Sequence, residues 1–249
     1  TAHRWRMLYV AIVACAVVAG HSRVGARAPV ADQPTHVGRV AVNWSKVPLR
    51  RAAESLAKAT DTAIFVDRRL DPSARITLTV DNATASTVLA GIAKDHGWSA
   101  AEIGELDYVG PAGAAHELRA LVAARHDGIA RLPARQRAAW NAIGEADWPR
   151  LADPRRLLGE ATESAGVRIA NSELVPHDLW PAAAWPALPL VERLSLLLVG
   201  FDLTFEIDDR GRTVRFVPIS RPVAFRKRYS ISKEHLPANL RQVLPKAQV

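Results

Sequence analysis

Cysteine is nearly absent from this chain of 249 residues, which contains only Cys15. The residues after Cys15 can form no disulfide bond and offer no thiol nucleophile, so the stability of the fold must come from packing. A Gly-x-Ser-x-Gly elbow and a glycine-rich phosphate loop are missing as well. Cysteine enzymes, hydrolases of the elbow type and P-loop nucleotide binding therefore have no basis in the sequence.

Acidic residues are scarce at both ends of the chain, which accounts for its formal net charge of +8. Residues 1–28 contain four arginines and no acid, and residues 210–249 contain ten Lys or Arg against Glu234 alone. Residues 29–209 carry 19 basic and 24 acidic side chains, a net charge of −5. A basic tail can meet anionic polymers, but the acidic body makes nucleic acid an unexpected partner.

The first 28 residues have the three-part order of a secretory signal peptide. Basic residues 3–6 precede an apolar run at residues 7–20, and small residues follow up to Ala28. The run is shorter than the roughly 20 residues that span a bilayer as a helix, which predicts removal rather than anchoring. Pro29 is unfavourable directly after a cut at Ala28, so a cut within residues 20–26 is the alternative.

Cys15 gives the N-terminus a second interpretation. Ile12, Val13 and Ala14 before it resemble a bacterial lipoprotein box with a lipidated Cys15, although residues 16–19 prolong the apolar run where a mature lipoprotein turns polar. Both interpretations predict an exported protein of the periplasm, or one associated with the outer membrane. Membrane contact is expected only through the signal or a lipidated Cys15.

Residues 37–111 follow the order of a small module: strand, helix, strand, strand, helix, hairpin. The first helix is predicted from apolar residues at helical spacing, namely Leu49, Ala52, Ala53, Leu56 and Ala57. Residues 76–80 alternate with the period of a half-covered strand. A second helix is expected between Thr84 as N-cap and Gly97 as the C-terminal stop. Two helices can thus cover one sheet.

Residues 151–219 repeat much of this order. Asp153 and Pro154 predict a helix start, Gly166 a stop, and residues 167–169 a short strand. Pro189 opens another helix that ends at Gly200, and an alternating hairpin follows. The fold class is therefore α+β, with two small two-layer βαββαβ-like modules.

Two further segments complete the predicted organisation. Residues 112–150 are rich in Ala and Arg and are interpreted as a helical spacer, with a second possible helix through Trp140 and Ile143. Residues 220–249 contain a strand-like and a helix-like stretch, and they predict the start of a third strand-helix unit. The expected domains are a signal peptide (1–28), two modules (37–111 and 151–219), the spacer and this partial unit.

The first module resembles the secretin and TonB N-terminus short domain. The matching residues are the helix Val47-Pro48-Leu49-Arg50-Arg51-Ala52-Ala53-Glu54-Ser55-Leu56-Ala57, the strands Ile64-Phe65-Val66-Asp67 and Ile76-Thr77-Leu78-Thr79-Val80, and the helix at 84–97. The likeness covers nearly all of residues 40–110 and, more loosely, 154–218. It implies a periplasmic domain that docks partners or passes signals in secretion or transport, without catalytic residues. The paired modules and the spacer, taken together with the Trp/Pro loop at residues 176–186, also resemble envelope proteins of planctomycete-type bacteria.

The second module departs from this pattern in the Trp/Pro segment, residues 176–186, which stands where a plain strand is expected. Trp180 and Trp185 combine large apolar area with an N–H donor, and the prolines limit the entropy lost on binding. With His177 and Asp178 they are the candidate partner-binding residues. The alternative is that both tryptophans fold over the core of the module.

Three His-Asp neighbours are the only hint of metal or hydrolytic chemistry: Asp95-His96, His126-Asp127 and His177-Asp178. Adjacent residues of a helix or strand point in different directions, and no His-x-x-x-His or similar set completes a site. We therefore expect no catalytic residues, no metal and no cofactor. The predicted function is a non-catalytic periplasmic protein-interaction module with an envelope protein as partner; the alternative is binding of glycan or cell wall.

Overall fold

The structure, a computed structural model, describes residues 38–225. The expected signal peptide, including Cys15, lies outside the described residues, as does most of the expected third unit at 220–249. No helix within residues 38–225 is both long enough and apolar enough to cross a membrane.

The first copy of the repeat contains seven elements. They are β1 (Val40–Pro48), α1 (Leu49–Thr60), β2 (Ala63–Val66), β3 (Arg75–Ala83), α2 (Ala85–His96), β4 (Ser99–Ile103) and β5 (Leu106–Gly110). β1 pairs with β3 in an antiparallel ribbon. β2, β5 and β4 form a three-stranded sheet in that order, with β2 parallel and β4 antiparallel to the central β5.

Two helices follow, α3 (Ala114–Ala130) and α4 (Ala134–Trp140), and then the second copy. Its elements are β6 (Ile143–Trp148), α5 (Pro154–Ser164), β7 (Arg168–Ile169), β8 (Ala183–Pro189), α6 (Leu190–Val199), β9 (Leu203–Ile207) and β10 (Thr213–Pro218). β6 pairs with β8, and β7, β10 and β9 form a sheet in that order. Every pairing of the first copy recurs, with the same parallel and antiparallel directions.

The α+β class predicted from the sequence is confirmed, and each copy has the order βαββαββ. One local prediction is wrong: the second helix of the segment 112–150 ends at Trp140, and Ile143 begins β6 instead of continuing that helix. The strand sequence Ile-Gly-Glu-Ala-Asp-Trp is poor in β-branched residues. It is stabilised by pairing with β8, a partner far along the chain that local periodicity does not reveal.

The helices of the first copy begin and end where local chemistry requires. Four of the five predicted inward residues of α1 are buried, namely Leu49, Ala52, Ala53 and Leu56, and Ala57 is partly buried. For α2, the Thr84 hydroxyl accepts a hydrogen bond from the Thr87 amide, and Gly97 ends the helix with a φ of 69°. These helices cover one face of the β2-β5-β4 sheet, where Ile64, Val66 and Val109 pack.

The second copy covers the other face of this same sheet. Phe65, between Ile64 and Val66 on β2, points with Tyr108 into a larger core that contains α3, α6 and the aromatic residues of the second copy. Nine of the ten residues of α6 are buried, among them the polar Arg193 and Ser195, so this helix lies inside the core on nearly all sides. The β2-β5-β4 sheet is thus packed between helices of its own copy and the second copy.

A buried charge network joins the two copies at the end of β2. Asp67 is fully buried; it accepts hydrogen bonds from the Tyr108 hydroxyl and from Nε and Nη2 of Arg69. Arg69 also donates through Nη1 to Asp202 of the second copy at 2.7 Å. Burial and the Asp67 charge raise the pKa of Tyr108, so its phenol stays protonated and donates. At Gly110, a Cβ would lie 2.1 Å from this phenol oxygen, so glycine leaves it room.

Replacing Asp67 by Asn should lower the free energy of unfolding by about 3 kcal/mol, because it removes the buried anion that accepts from Nε and Nη2 of Arg69 and leaves only the more exposed Asp202 as its partner. Urea denaturation at neutral pH measures the effect. Arg50→Gln is the matched control, since the Arg50–Glu54 pair is exposed and should contribute at most about 0.5 kcal/mol. Equal effects of the two substitutions would contradict a stabilising role for the buried network.

A second carboxylate should make stability depend on pH. Asp107 is buried opposite Glu102 in the β4–β5 ladder, and burial together with that neighbouring charge raises the pKa of Asp107 to about 6. The folded protein therefore holds this proton in a range where the unfolded chain, with a carboxyl pKa of about 3.9, has lost it. The contribution of Asp107 to stability is complete below about pH 4 and is lost as pH rises through about 6.

Asp107→Asn removes this titration. We expect the variant to gain stability over the wild type progressively between pH 4 and 6, as measured by urea denaturation at several pH values. Glu102→Gln should give a smaller change in the same direction, because it removes one of the two causes. A wild-type-to-variant difference that is constant across this range would contradict the raised pKa.

Candidate functional site

Three of the four candidate partner-binding residues, His177, Asp178 and Trp180, lie on the loop between β7 and β8, residues 170–182. A short 3-10 helix, Ser172–Leu174, lies near its start. Arg155 of α5 donates to the backbone carbonyls of Val175 and Glu173 and holds this half of the loop. The Trp/Pro segment extends beyond the loop, because Trp185 and Pro186 belong to β8. A strand thus does form here, after a longer loop than in the first copy.

Both tryptophans of the Trp/Pro segment are buried. Trp180 is 5% exposed and Trp185 8% exposed. The Trp185 ring meets Trp148 edge-on at 4.7 Å and Phe65 at 4.8 Å between centroids. Trp180 lies parallel to Phe201 at 6.0 Å. These three aromatic neighbours come from both copies, so the tryptophans belong to the seam between the copies.

Asp178 is engaged inside the protein. Its carboxylate accepts hydrogen bonds from Arg68 Nε at 2.8 Å, from Trp180 Nε1 at 2.9 Å and from the Leu179 amide at 3.0 Å. Burial acts to raise the pKa of Asp178, but these bonds outweigh it and the pKa is lowered. Arg68 also lies over the Phe201 ring, 4.6 Å from its centroid. The pair ties a loop of the first copy to the second.

The expectation that Trp180, Trp185 and Asp178 form an exposed docking surface is therefore corrected: all three side chains serve internal contacts. The structure instead matches the alternative in which the tryptophans fold over the core. His177 is the one exposed member of the four candidates. Sequence reasoning could not tell the inward side chains of this segment from its outward ones.

The outward surface of this region is formed by leucine and proline. Leu179 is 53% exposed and Leu151 60% exposed, and Pro181 between Trp180 and β8 is exposed as well. The Leu151 amide donates to the Trp180 carbonyl at 2.8 Å, and the Trp180 amide donates to the Ala152 carbonyl at 2.9 Å. Leu151 thus lies beside the Trp180 backbone, and Leu179 directly precedes Trp180 in the chain. We call Leu151, Leu179 and Pro181 the leucine patch.

Leu151 has an unusual backbone for its residue type. Its φ is 67°, in the left-handed region that favours glycine. The two hydrogen bonds with Trp180 follow the pattern of a β-bulge whose first position is normally glycine. A leucine here costs about 1–2 kcal/mol relative to a relaxed backbone, yet its side chain gains little burial in return. Packing therefore does not explain why leucine occupies this position.

The His-Asp neighbours are not brought together into a reactive site. His96 stacks on Trp98 at 4.5 Å, Asp127 pairs with Arg131, and His126 Nε2 lies 3.5 Å from Glu192. Among residues 38–225, no group of three or more His, Asp and Glu side chains is placed to hold a metal ion. The arrangement suits structural contacts better than proton transfer.

No protein-family model matches the chain, and no curated protein matches it in sequence.

Leu151→Gly tests whether the leucine patch is retained for stability. Glycine relieves the strain of the left-handed backbone, but it raises the conformational entropy of the unfolded chain, which costs about 0.5–1 kcal/mol of stability. We expect the free energy of unfolding to stay unchanged or rise by up to about 1 kcal/mol. Leu151→Ala is the control, since it keeps the Cβ and the strain and should give no gain. A loss above about 1.5 kcal/mol in urea denaturation of the glycine variant would show that Leu151 is a packing residue.

Proposed function

We propose that this chain is a non-catalytic periplasmic interaction protein that binds a short apolar segment of another envelope protein through the leucine patch. The observation that carries the proposal is Leu151: a strained, exposed leucine at a backbone position made for glycine. Strain of this kind persists where the surroundings enforce it, and it concentrates at functional sites. Export is supported by the signal-like residues 1–28.

The size and surroundings of the patch favour a segment of a partner over a second copy of this chain. A stable dimer buries about 1,200–2,000 Å² in total, far more than two leucines and a proline provide. The charged residue beside Leu151 is Arg150, which is exposed and forms no ion pair within residues 38–225, whereas Asp178 beside Leu179 is neutralised by Arg68. Apolar residues flanked by an acidic side chain fit this surface best.

The resemblance to the secretin and TonB N-terminus short domain supports the same function, since domains of that kind dock partners in secretion or transport. Glycan binding has less support. It needs exposed aromatic faces, and the six described tryptophans are either buried (Trp140, Trp148, Trp180 and Trp185) or partly covered by the first-copy core (Trp44 and Trp98).

A photo-crosslinking residue in place of Leu179, introduced in the native cell, tests the function directly. We expect a discrete crosslinked product with an envelope protein in the periplasmic or outer-membrane fraction. The control carries the same residue in place of Ile143, which is 70% exposed but lies at the far end of β6. Absence of a protein product at position 179, or the same products at both positions, would contradict the proposal. A fluorescence response to peptidoglycan fragments would then favour the glycan alternative.

The contribution of the patch is measured on the partner so recovered. Leu179→Ser should weaken binding at least tenfold, because a buried leucine contributes about 1.5–3 kcal/mol. Ile143→Ser should leave the affinity unchanged. Binding that survives Leu179→Ser would keep the interaction function but move it to another surface.

A further inference from the structure

A cleft lies between α3 and the β9–β10 hairpin. Its volume is about 430 Å³, within the range of small-molecule sites. Apolar side chains and a glycine contribute to the lining, with charged residues of both signs. The lining residues are Ala124, Arg125, Gly128, Arg131, Leu132, Ile207, Asp208 and Asp209.

Arg125 lines this cleft, and its guanidinium makes few hydrogen bonds within the described residues. Its Nε is buried and has no hydrogen-bond partner, and Nη2 makes only a long bond of 3.4 Å to the Thr204 hydroxyl. Its guanidinium lies 5.4 Å from the centroid of the Phe205 ring, which positions it. Burial lowers the pKa of Arg125, and the charge of Glu206 opposes this shift. No carboxylate among residues 38–225 is within ion-pair distance of Arg125, so it retains capacity for an anion.

Carboxylates of the hairpin turn also line the cleft. Asp208 accepts hydrogen bonds from the backbone amides of Arg212 and Thr213; burial acts against them, but the pKa of Asp208 is lowered and it stays charged. Asp209 is exposed and forms no ion pair within the described residues. Arg131, the other cation of the lining, is already paired with Asp127.

We propose that this cleft binds a small zwitterion, an aliphatic α-amino acid or a short peptide. The ligand carboxylate pairs with Arg125, its ammonium group pairs with Asp208 and Asp209, and the aliphatic side chain lies against Leu132 and Ile207. A simple anion would be repelled by the two aspartates, and a simple cation by Arg125. The site uses different elements from the leucine patch and does not depend on it.

Calorimetric titration of the full chain with L-leucine and with L-alanyl-L-leucine tests the site. Both are expected to bind saturably below about 10 mM, since a small charge-paired ligand typically reaches a Kd of roughly 1 mM. N-acetyl-L-leucine, which lacks the ammonium group, and L-leucinamide, which lacks the carboxylate, should each bind at least fivefold more weakly. A preference for the dipeptide over the amino acid would identify a peptide source for the ligand.

Arg125→Gln should weaken binding about tenfold, the loss expected for one charge-assisted pair. Asp209 is exposed, so its replacement does not threaten folding. Asp209→Asn should weaken the binding of L-leucine and of L-leucinamide to the same extent, because both carry the ammonium group. Arg135→Gln, an exposed arginine beyond the cleft, is the matched control and should change nothing. No saturable binding of either zwitterion, or equal binding of the blocked ligands, would overturn the proposal.

Discussion

The joining of the two copies depends on a carboxylate with no access to water. Asp67 has no exposed surface, and a buried charge is tolerated only when it is paired and hydrogen-bonded. Arg69 supplies the opposite charge and Tyr108 a further hydrogen-bond donor. Loss of either partner would leave the buried Asp67 carboxylate without full compensation. Asp67 holds the Arg69 side chain in place, and Arg69 also donates to Asp202. This bond connects the turn between α6 and β9 of the second copy to the first copy. Without cysteine after residue 15, this pairing and the apolar seam replace any covalent tie.

The same seam determines the shape of the leucine patch. Arg68, next to Asp67, holds Asp178; Asp178 accepts from the indole of Trp180; and the Trp180 backbone pairs with Leu151 and Ala152. Each contact positions the next, so the exposed leucines are displayed by a chain of internal bonds that begins in the first copy. Asp178 and Trp180 of the Trp/Pro segment are therefore a support, and the surface is made by Leu179 and Pro181 of the same segment together with Leu151.

The sequence was sufficient for features that depend on near neighbours. Inward positions of α1, the Thr84 cap and the Gly97 stop all follow from residue spacing and intrinsic conformational preference. It was insufficient for β6, whose residues favour no strand without β8, and for Trp180 and Trp185, which look alike whether they face a partner or the core. The Asp67, Arg69 and Asp202 contact joins residues far apart in the chain, and no local pattern marks it. An exposed loop leucine such as Leu151 carries no signal until its φ is known.

The two copies differ most in what covers the second face of their three-stranded sheets. In the first copy, Phe65 and Tyr108 on that face are packed against the second copy. In the second copy, Val214 and Phe216 of β10 are buried on one face, while Arg215 between them is exposed and lies opposite Glu206 of β9 in the ladder. A charged face of this kind resists stacking, as the polar outer faces of terminal repeats do. Among residues 38–225, the apolar stacking that joins the first copy to the second therefore does not recur on the corresponding face of the second copy, because Arg215 and Glu206 place charge there.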